Sequence, residues 1–377
     1  MEGSAPKRFR LGTHRVRPPE ETWEALCGVL PRVGITRVAD VTGLDRIGIP
    51  VWQAVRPASR SLSVSQGKGA TPAAARASAV MESIELWHAE DLSHLSRVVL
   101  SPREMRYDNA IPLSSLRWTF EPPEVAAIPI PWVRARCFRG GPDGWLPLDM
   151  LQLDFTEPAA LPLRLFHRTS NGLASGNCVE EAVLHGVCEL VERHAVRLAG
   201  EDPARKVPLI EDSIGVPWLR EPLDRIRAAG SKLALWDVTG DLGIPVFLVD
   251  LAAPDIPNVW RGSGCHPDPA VALSRALTEA AQSRLTYISG ARDDLPFFGG
   301  EDLAQRLFES FEEPAGTKAL AEVPGLSSES VAADLETVVA HLAGQGFETF
   351  WVDLTRPDVG VPVVTTFIPG LKDKPHG

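Results

Sequence analysis

Nine residues of this sequence fall in three groups with a single spacing. Ala75, Glu82 and Glu85, then Ala182, Glu189 and Glu192, then Ala272, Glu279 and Gln282 are each separated by seven and three residues. At about 3.6 residues per helical turn, such positions fall close to one face, with the acidic pair a turn apart. Ser78 lies four residues before Glu82 and Glu181 eight before Glu189, so both extend the same stripes. The surrounding segments are apolar, as in Glu181-Ala182-Val183-Leu184-His185-Gly186-Val187-Cys188-Glu189. A carboxylate row there is costly to bury without a cation. Oxygen-rich clusters favour Mg2+ over transition metals, and Mg2+ ordinarily brings phosphate groups with it. A solvated helix face accounts for any one stripe. Three stripes with one spacing, each entered through a Gly-rich turn, point instead to a shared metal and phosphate site.

The elements that must position these stripes are three long helices, predicted over about 72–90, 179–198 and 270–289. Each follows a glycine-punctuated turn: Gln66-Gly67-Lys68-Gly69 after a strand at 62–65, Ser170–Gly176, and Gly262-Ser263-Gly264. Alternation predicts further strands at 34–41, 49–55, 232–238, 244–252, 347–354 and 361–368, and a helix over about 20–30. The Pro-rich stretch 100–165 reads as irregular, and 296–340 as polar helical cover. The expected fold class is α+β (mixed α/β): mixed β-sheets with packed long helices, in strand–Gly turn–helix units too divergent for a solenoid. Residues 1–11 read as a flexible tail and 12–377 as one domain.

Composition narrows the function classes. The 377 residues are 44% hydrophobic and 23% charged, as expected of a soluble globular chain. With 49 acidic against 38 basic residues the formal charge is −11, which disfavours a nucleic-acid partner. No run of 18 apolar residues predicts a membrane span, and the polar, basic start lacks a signal-peptide core, so the cytoplasm is the expected compartment. Five scattered cysteines without a CxxC pair read as reduced thiols. Gly67-Lys68-Gly69 lacks the Ser or Thr of a Walker A loop; it reads either as backbone amides turned to an anion or as a tight turn. His185, Cys188 and His194 read as packing rather than a zinc site, and Cys178 and Cys265 as inert thiols. No GxSxG elbow supports a hydrolase.

The three helices also carry a family likeness. Ser78 to Glu85 (SxxxExxE), Asn177 to Glu181 with Glu189 to Arg193 (NxxxE then ExxER), and Arg275 to Arg284 (RAxTEAxQxR) resemble the YcaO family, in the expected order and from about Gly12 to Gly370. The resemblance implies the YcaO fold and ATP and Mg2+ as cofactors. It implies Mg2+ binding by Glu82, Glu85, Glu189 and Glu192. Ser78, Asn177, Glu181 and Arg193 match the family's nucleotide contacts, as does Arg275 or, alternatively, Arg284; Arg15 and Thr22 resemble a further contacting pair. The implied chemistry is ATP-dependent addition of a nucleophile to a peptide backbone amide, whose oxygen is phosphorylated and leaves. Gly34 to Ser65 resembles stand-alone members that work with a TfuA partner, which implies thioamide formation in a ribosomally made peptide. The end of the chain lacks the PxPxP tail of many azoline-forming members, so cyclodehydration of Cys, Ser or Thr is the alternative, and a non-catalytic accessory subunit the reading from another class. Expected partners are a precursor peptide, a TfuA-like protein or a separate leader-peptide-binding protein, and a second copy in a homodimer.

Overall fold

A computed structural model describes residues 6–120, 125–156, 164–292 and 301–372. Within them the strands form three separate sheets whose ladders are all antiparallel. The first contains β1 (Arg37–Asp40), β2 (Val51–Val55) and β3 (Val64–Lys68), in that order. The second runs β11 (Val259–Cys265), β10 (Val246–Ala252), β9 (Lys232–Asp237) and β8 (Val207–Pro208). The third runs β4 (Arg97–Leu100), β5 (Ile130–Cys137), β12 (Phe350–Asp353), β13 (Val363–Phe367) and β7 (Leu173–Ser175), with β6 (Gly144–Pro147) also paired to β5. Helix α1 is Pro19–Leu26, α2 Pro72–Glu90, α3 Pro102–Met105 and α4 Leu148–Leu151. Then come α5 (Val179–Glu201), α6 (Pro217–Ala228), α7 (Pro269–Ile288), α8 (Glu301–Ser310) and α9 (Val331–Gly344).

The three long helices are α2, α5 and α7, and each follows an edge strand of a different sheet: β3, β7 and β11. The expected α+β organisation is therefore present, and its repeat is spread over three sheets. Thr71 and Asp268 cap the N-termini of α2 and α7, each with Pro in the first turn. Two of the glycine turns prove to be strand: Gly67 lies inside β3, and Gly262 and Gly264 inside β11. A Cβ on Gly67 would stand 2.1 Å from the Ala75 carbonyl oxygen, and one on Gly264 2.1 Å from that of Ala272. Glycine is needed there so that strand and helix backbones touch, not to turn the chain. The first residue of each stripe is alanine for the same reason; a Cβ on Gly176 would likewise stand 2.6 Å from the Ala182 nitrogen.

Two further expectations are corrected. The stretch 100–165 is not irregular throughout, since β5 and β6 pair in it and Trp132 of β5 is fully buried. Its prolines masked the alternation; Pro131 is tolerated one residue into the strand. Residues 6–11, expected in the tail, enter a hairpin in which Phe9 bridges Arg15. Lys7 anchors it on α9: its Nζ lies 2.6 Å from Asp334, 2.8 Å from Ser327 Oγ and 2.7 Å from the Ser328 carbonyl, with both charged side chains sealed from solvent. Of the expected polar cover, 293–300 lie outside the described residues and α8 and α9 are helical. No helix among the described residues is long and apolar enough to cross a membrane.

Candidate functional site

Between α2, α5 and α7 lies a cavity of about 510 Å3, within the range of small-molecule sites. The seventh-position acid of each stripe accepts a backbone N–H from the strand entering its own helix or, for Glu189, from the turn residue just before that strand. Gln66 N–H donates to Glu82 (2.9 Å), Gly172 N–H to Glu189 (2.9 Å) and Ser263 N–H to Glu279 (3.3 Å). The tenth-position residue reaches to the strand of the next unit. Glu85 accepts from Ser175 N–H (2.8 Å) and hydroxyl (2.6 Å), and Glu192 from Cys265 N–H (3.0 Å) and the Ser263 hydroxyl (2.6 Å). Gln282 closes the circuit by donating Nε2–H to the Gln66 carbonyl at 3.1 Å. Thus α2 links the first sheet to the third, α5 the third to the second, and α7 the second to the first. Glu82 and Glu85 are each held at one oxygen, Glu189, Glu192 and Glu279 at both, and all five line the cavity.

The charge of this ring calls for a cation. Burial pushes the Glu82 carboxyl up to about 7 and the Glu85 carboxyl up to about 8, against hydrogen bonds from Gln66 and Ser175. Burial also raises Glu192, with the neighbouring Glu279 adding to it. Glu279 itself, despite burial, is held low by Lys68, whose Nζ is 2.6 Å away, and by Arg193. The Nε–H groups of Arg193 and Arg275 point at no acceptor. One acid pair, Glu82 and Glu85, without an ion-paired cation, and a second, Glu189 and Glu192, met only by Arg193 at 3.3 Å from Glu189, fit a hard divalent cation carrying a polyanion.

This arrangement sets a pH dependence. Glu82 and Glu85 have folded-state values above their ordinary 4.5, so their share of stability is complete below that value and lost as pH rises through about 7 to 8. A divalent cation held by these carboxylates would replace the bound protons and restore it. The thermal midpoint is therefore expected to rise with Mg2+ far more at pH 8.5 than at pH 6; an equal rise at both would show that Mg2+ binds elsewhere.

All eleven residues singled out in the sequence line this cavity: Arg15, Thr22, Ser78, Glu82, Glu85, Asn177, Glu181, Glu189, Glu192, Arg193 and Arg275. Arg284 does not; it is buried in a triad with Asp45 (3.1 Å) and Asp255 (2.6 Å). Buried Glu181 ties the N-terminal hairpin to α5, accepting from Val16 N–H (2.5 Å) and from Asn177 N–H (2.8 Å) and Nδ2–H (2.9 Å). Thr22 on α1 donates to Asn177 at 2.8 Å. The lining also includes Glu279 of the third stripe, Lys68, whose segment was read as an anion-facing or tight turn, and His185, read as packing. Glu279 stands in the stripe and was legible there; the ion pair from Lys68, on another sheet, was not. His185 is kept neutral by burial and by Arg275, whose Nη2–H donates to its Nε2 at 3.0 Å. Burial pushes the Cys178 thiol up to about 12 and raises Cys265 as well, so neither is a nucleophile. His14, His266 and Asp334 come within 4.8 Å of one another, but Lys7 and Ser328 already occupy the Asp334 oxygens.

Fold and cavity together define an α+β protein with a cavity, lined by acids and arginines, among three helices. The family model described as YcaO cyclodehydratase, ATP- and Mg2+-binding, matches residues 66–372, and the chain belongs to the YcaO family, with ATP and Mg2+ as cofactors. The uncharacterized protein Rv1375 of Mycobacterium tuberculosis is 38% identical over 375 residues, covering 96% of this chain and 83% of that protein. An uncharacterized protein in the tfuA 3′ region of Rhizobium leguminosarum bv. trifolii is 35% identical over 386 residues, covering 95% and 88%. The structure of YcaO from Methanopyrus kandleri bound with AMPPCP and Mg2+ superposes with a TM-score of 0.76 at 25% identity, covering 97% of this chain and 94% of that one. A heterocyclase in complex with substrate and cofactor shares the fold with a TM-score of 0.80 at 23% identity over 99% of this chain. This chain spans about half, 54%, of that heterocyclase.

Proposed function

We propose that this chain uses Mg2+ and ATP to activate a peptide backbone amide for replacement of its oxygen by sulfur, acting with a TfuA-like partner on a precursor peptide. The observation that carries the amide-activation reading is the ring of acids in two strand-clamped pairs, open to a cavity whose lining also includes Arg15, Arg193 and Arg275. Glu82, Glu85, Glu189 and Glu192 would hold Mg2+. Arg15, Arg193 and Arg275 would meet phosphate oxygens, and Ser78, Asn177 and Thr22 the nucleoside side. Glu181, already engaged by Val16 and Asn177, would act largely by holding Arg15 and Asn177 in place. When bound, Mg-ATP supplies the phosphoryl group that turns an amide oxygen into a leaving group. The remaining work of the protein is positioning and charge compensation. Hydrosulfide adds to the amide carbon, the oxygen departs as phosphate, and loss of the S–H proton leaves C=S.

The thioamide reading is supported by the likeness of Gly34 to Ser65 to TfuA-associated members and by the relative encoded in a tfuA 3′ region. Azoline formation is the second reading, favoured by the cyclodehydratase description of the family model. Mass spectrometry of a precursor peptide encoded beside this gene, co-expressed with this protein and a TfuA homologue, separates them. Exchange of oxygen for sulfur adds about 16 Da per site, whereas ring closure with loss of water removes about 18 Da. A product showing only the loss would end the thioamide reading.

A further inference from the structure

The ring of acids is not symmetric, and the departure lies in its third unit. Where α2 and α5 carry Glu85 and Glu192, α7 carries the uncharged Gln282. Glu279, the remaining acid of that unit, is neutralised by Lys68 across 2.6 Å. The corner between β3 and α7 thus has no carboxylate to spare for a metal, unlike the other two. It does contain an unsatisfied amide. Gln66 is only 8% exposed, lines the cavity and contacts Thr286 through one side of its terminal amide; the other side has no hydrogen-bond partner and is shielded from bulk water. A buried polar atom in that state is costly unless a ligand completes it.

We infer that this corner, built by Gln66, Lys68, Gln282 and Thr286, is the subsite for the neutral acceptor, the backbone amide of the peptide. The inference rests on the amide-activation reading and adds the place where the amide sits. Gln66 lies next to the metal-binding acids, since its own N–H is bonded to Glu82. The acceptor must come close to a phosphoryl group held there, but from a side not occupied by charge. A primary amide has one donor face and one acceptor face. Whichever way the Gln66 group is turned on Thr286, its unpaired atom, which has almost no exposed surface, finds a match in a peptide bond, which offers both N–H and C=O, once the amide rotates toward the cavity. A phosphate dianion only accepts, and would be drawn to the arginine side. Lys68 keeps ammonium protons beyond the one given to Glu279, and these stabilise negative charge developing on the carbonyl oxygen as the nucleophile adds.

The test uses the full chain labelled with 15N at glutamine, saturated with Mg2+ and AMPPCP. Side-chain signals of Gln66 and Gln282 are assigned from the Gln66→Leu and Gln282→Leu variants, whose remaining spectrum reports that they fold. Acetyl-triglycine methylamide is then titrated as a minimal backbone probe. Both glutamine signals are expected to shift, and Gln66→Leu to weaken the probe about 10-fold, read on Gln282, while AMPPCP still binds. No shift with AMPPCP bound, shifts confined to other glutamines, or shifts driven by inorganic phosphate instead of the probe would each overturn the subsite. Failure of AMPPCP to bind at all would instead remove the nucleotide reading on which it rests.

Discussion

Glu192→Gln is expected to abolish Mg2+-dependent nucleotide binding while leaving the apo protein as stable as the wild type or more so. Glu192 is 4% exposed, and its carboxyl is raised by burial and by the facing Glu279, so removing its charge relieves repulsion in the empty site. On the proposed assignment the same change costs the cation a ligand. It also turns an NH2 group toward the Ser263 hydroxyl or Cys265 N–H, which now hold the carboxylate. Loss of a mere outer partner of a metal ligand costs about 10–100-fold in affinity, so loss of the ligand itself should exceed about 100-fold. Isothermal titration with Mg-AMPPCP reads the affinity, and a melt without ligand reads the fold. Unchanged nucleotide affinity would remove Glu192 from the metal site; Glu82→Gln provides the parallel test on α2.

Lys7→Ala should be the most damaging single change outside the cavity. The Lys7 ammonium has three acceptors, and Asp334 receives two further bonds from Ser328, all out of solvent. Removing the cation leaves a buried carboxylate without its counter-charge, a loss of about 3–5 kcal/mol for such a pair. The hairpin that Lys7 anchors carries Phe9, Leu11 and Arg15 to the cavity wall, so nucleotide affinity should fall as well. Denaturant unfolding measures the first effect and nucleotide titration the second. A double variant, Lys7→Met with Asp334→Leu, should recover most of the stability, because apolar replacement of a whole buried pair is often neutral. If Lys7→Ala unfolds at the wild-type midpoint, the pair is not the anchor described here.

Much of the site was legible without a structure. Carboxylates at positions 7 and 10 of three apolar helices, repeated with one spacing, point to a shared cation, and that pattern shows in one dimension. The helices themselves were equally plain, because α2, α5 and α7 are long and their N-termini are marked by Pro72, the Asn177–Cys178 entry and Pro269. The boundary between strand and turn was not. Gly67, Gly262 and Gly264 look like turn residues in sequence, and only the helix packed against them, with carbonyls 2.1 Å from where a Cβ would stand, makes them strand residues.

What the sequence determined by itself is the chemistry of the donors: five acids and one amide at a single helical spacing, and a motif set belonging to one family. The tertiary structure decided how they combine. It put Arg275 in the cavity and Arg284 in a buried triad, although both lie on α7. It paired Lys68 with Glu279 across 211 positions, and passed each tenth-position side chain to the strand of the next sheet. Spacing along a helix says which residues share a face. Which cation or strand meets that face depends on contacts distant in sequence, made only when the three sheets close around the three helices.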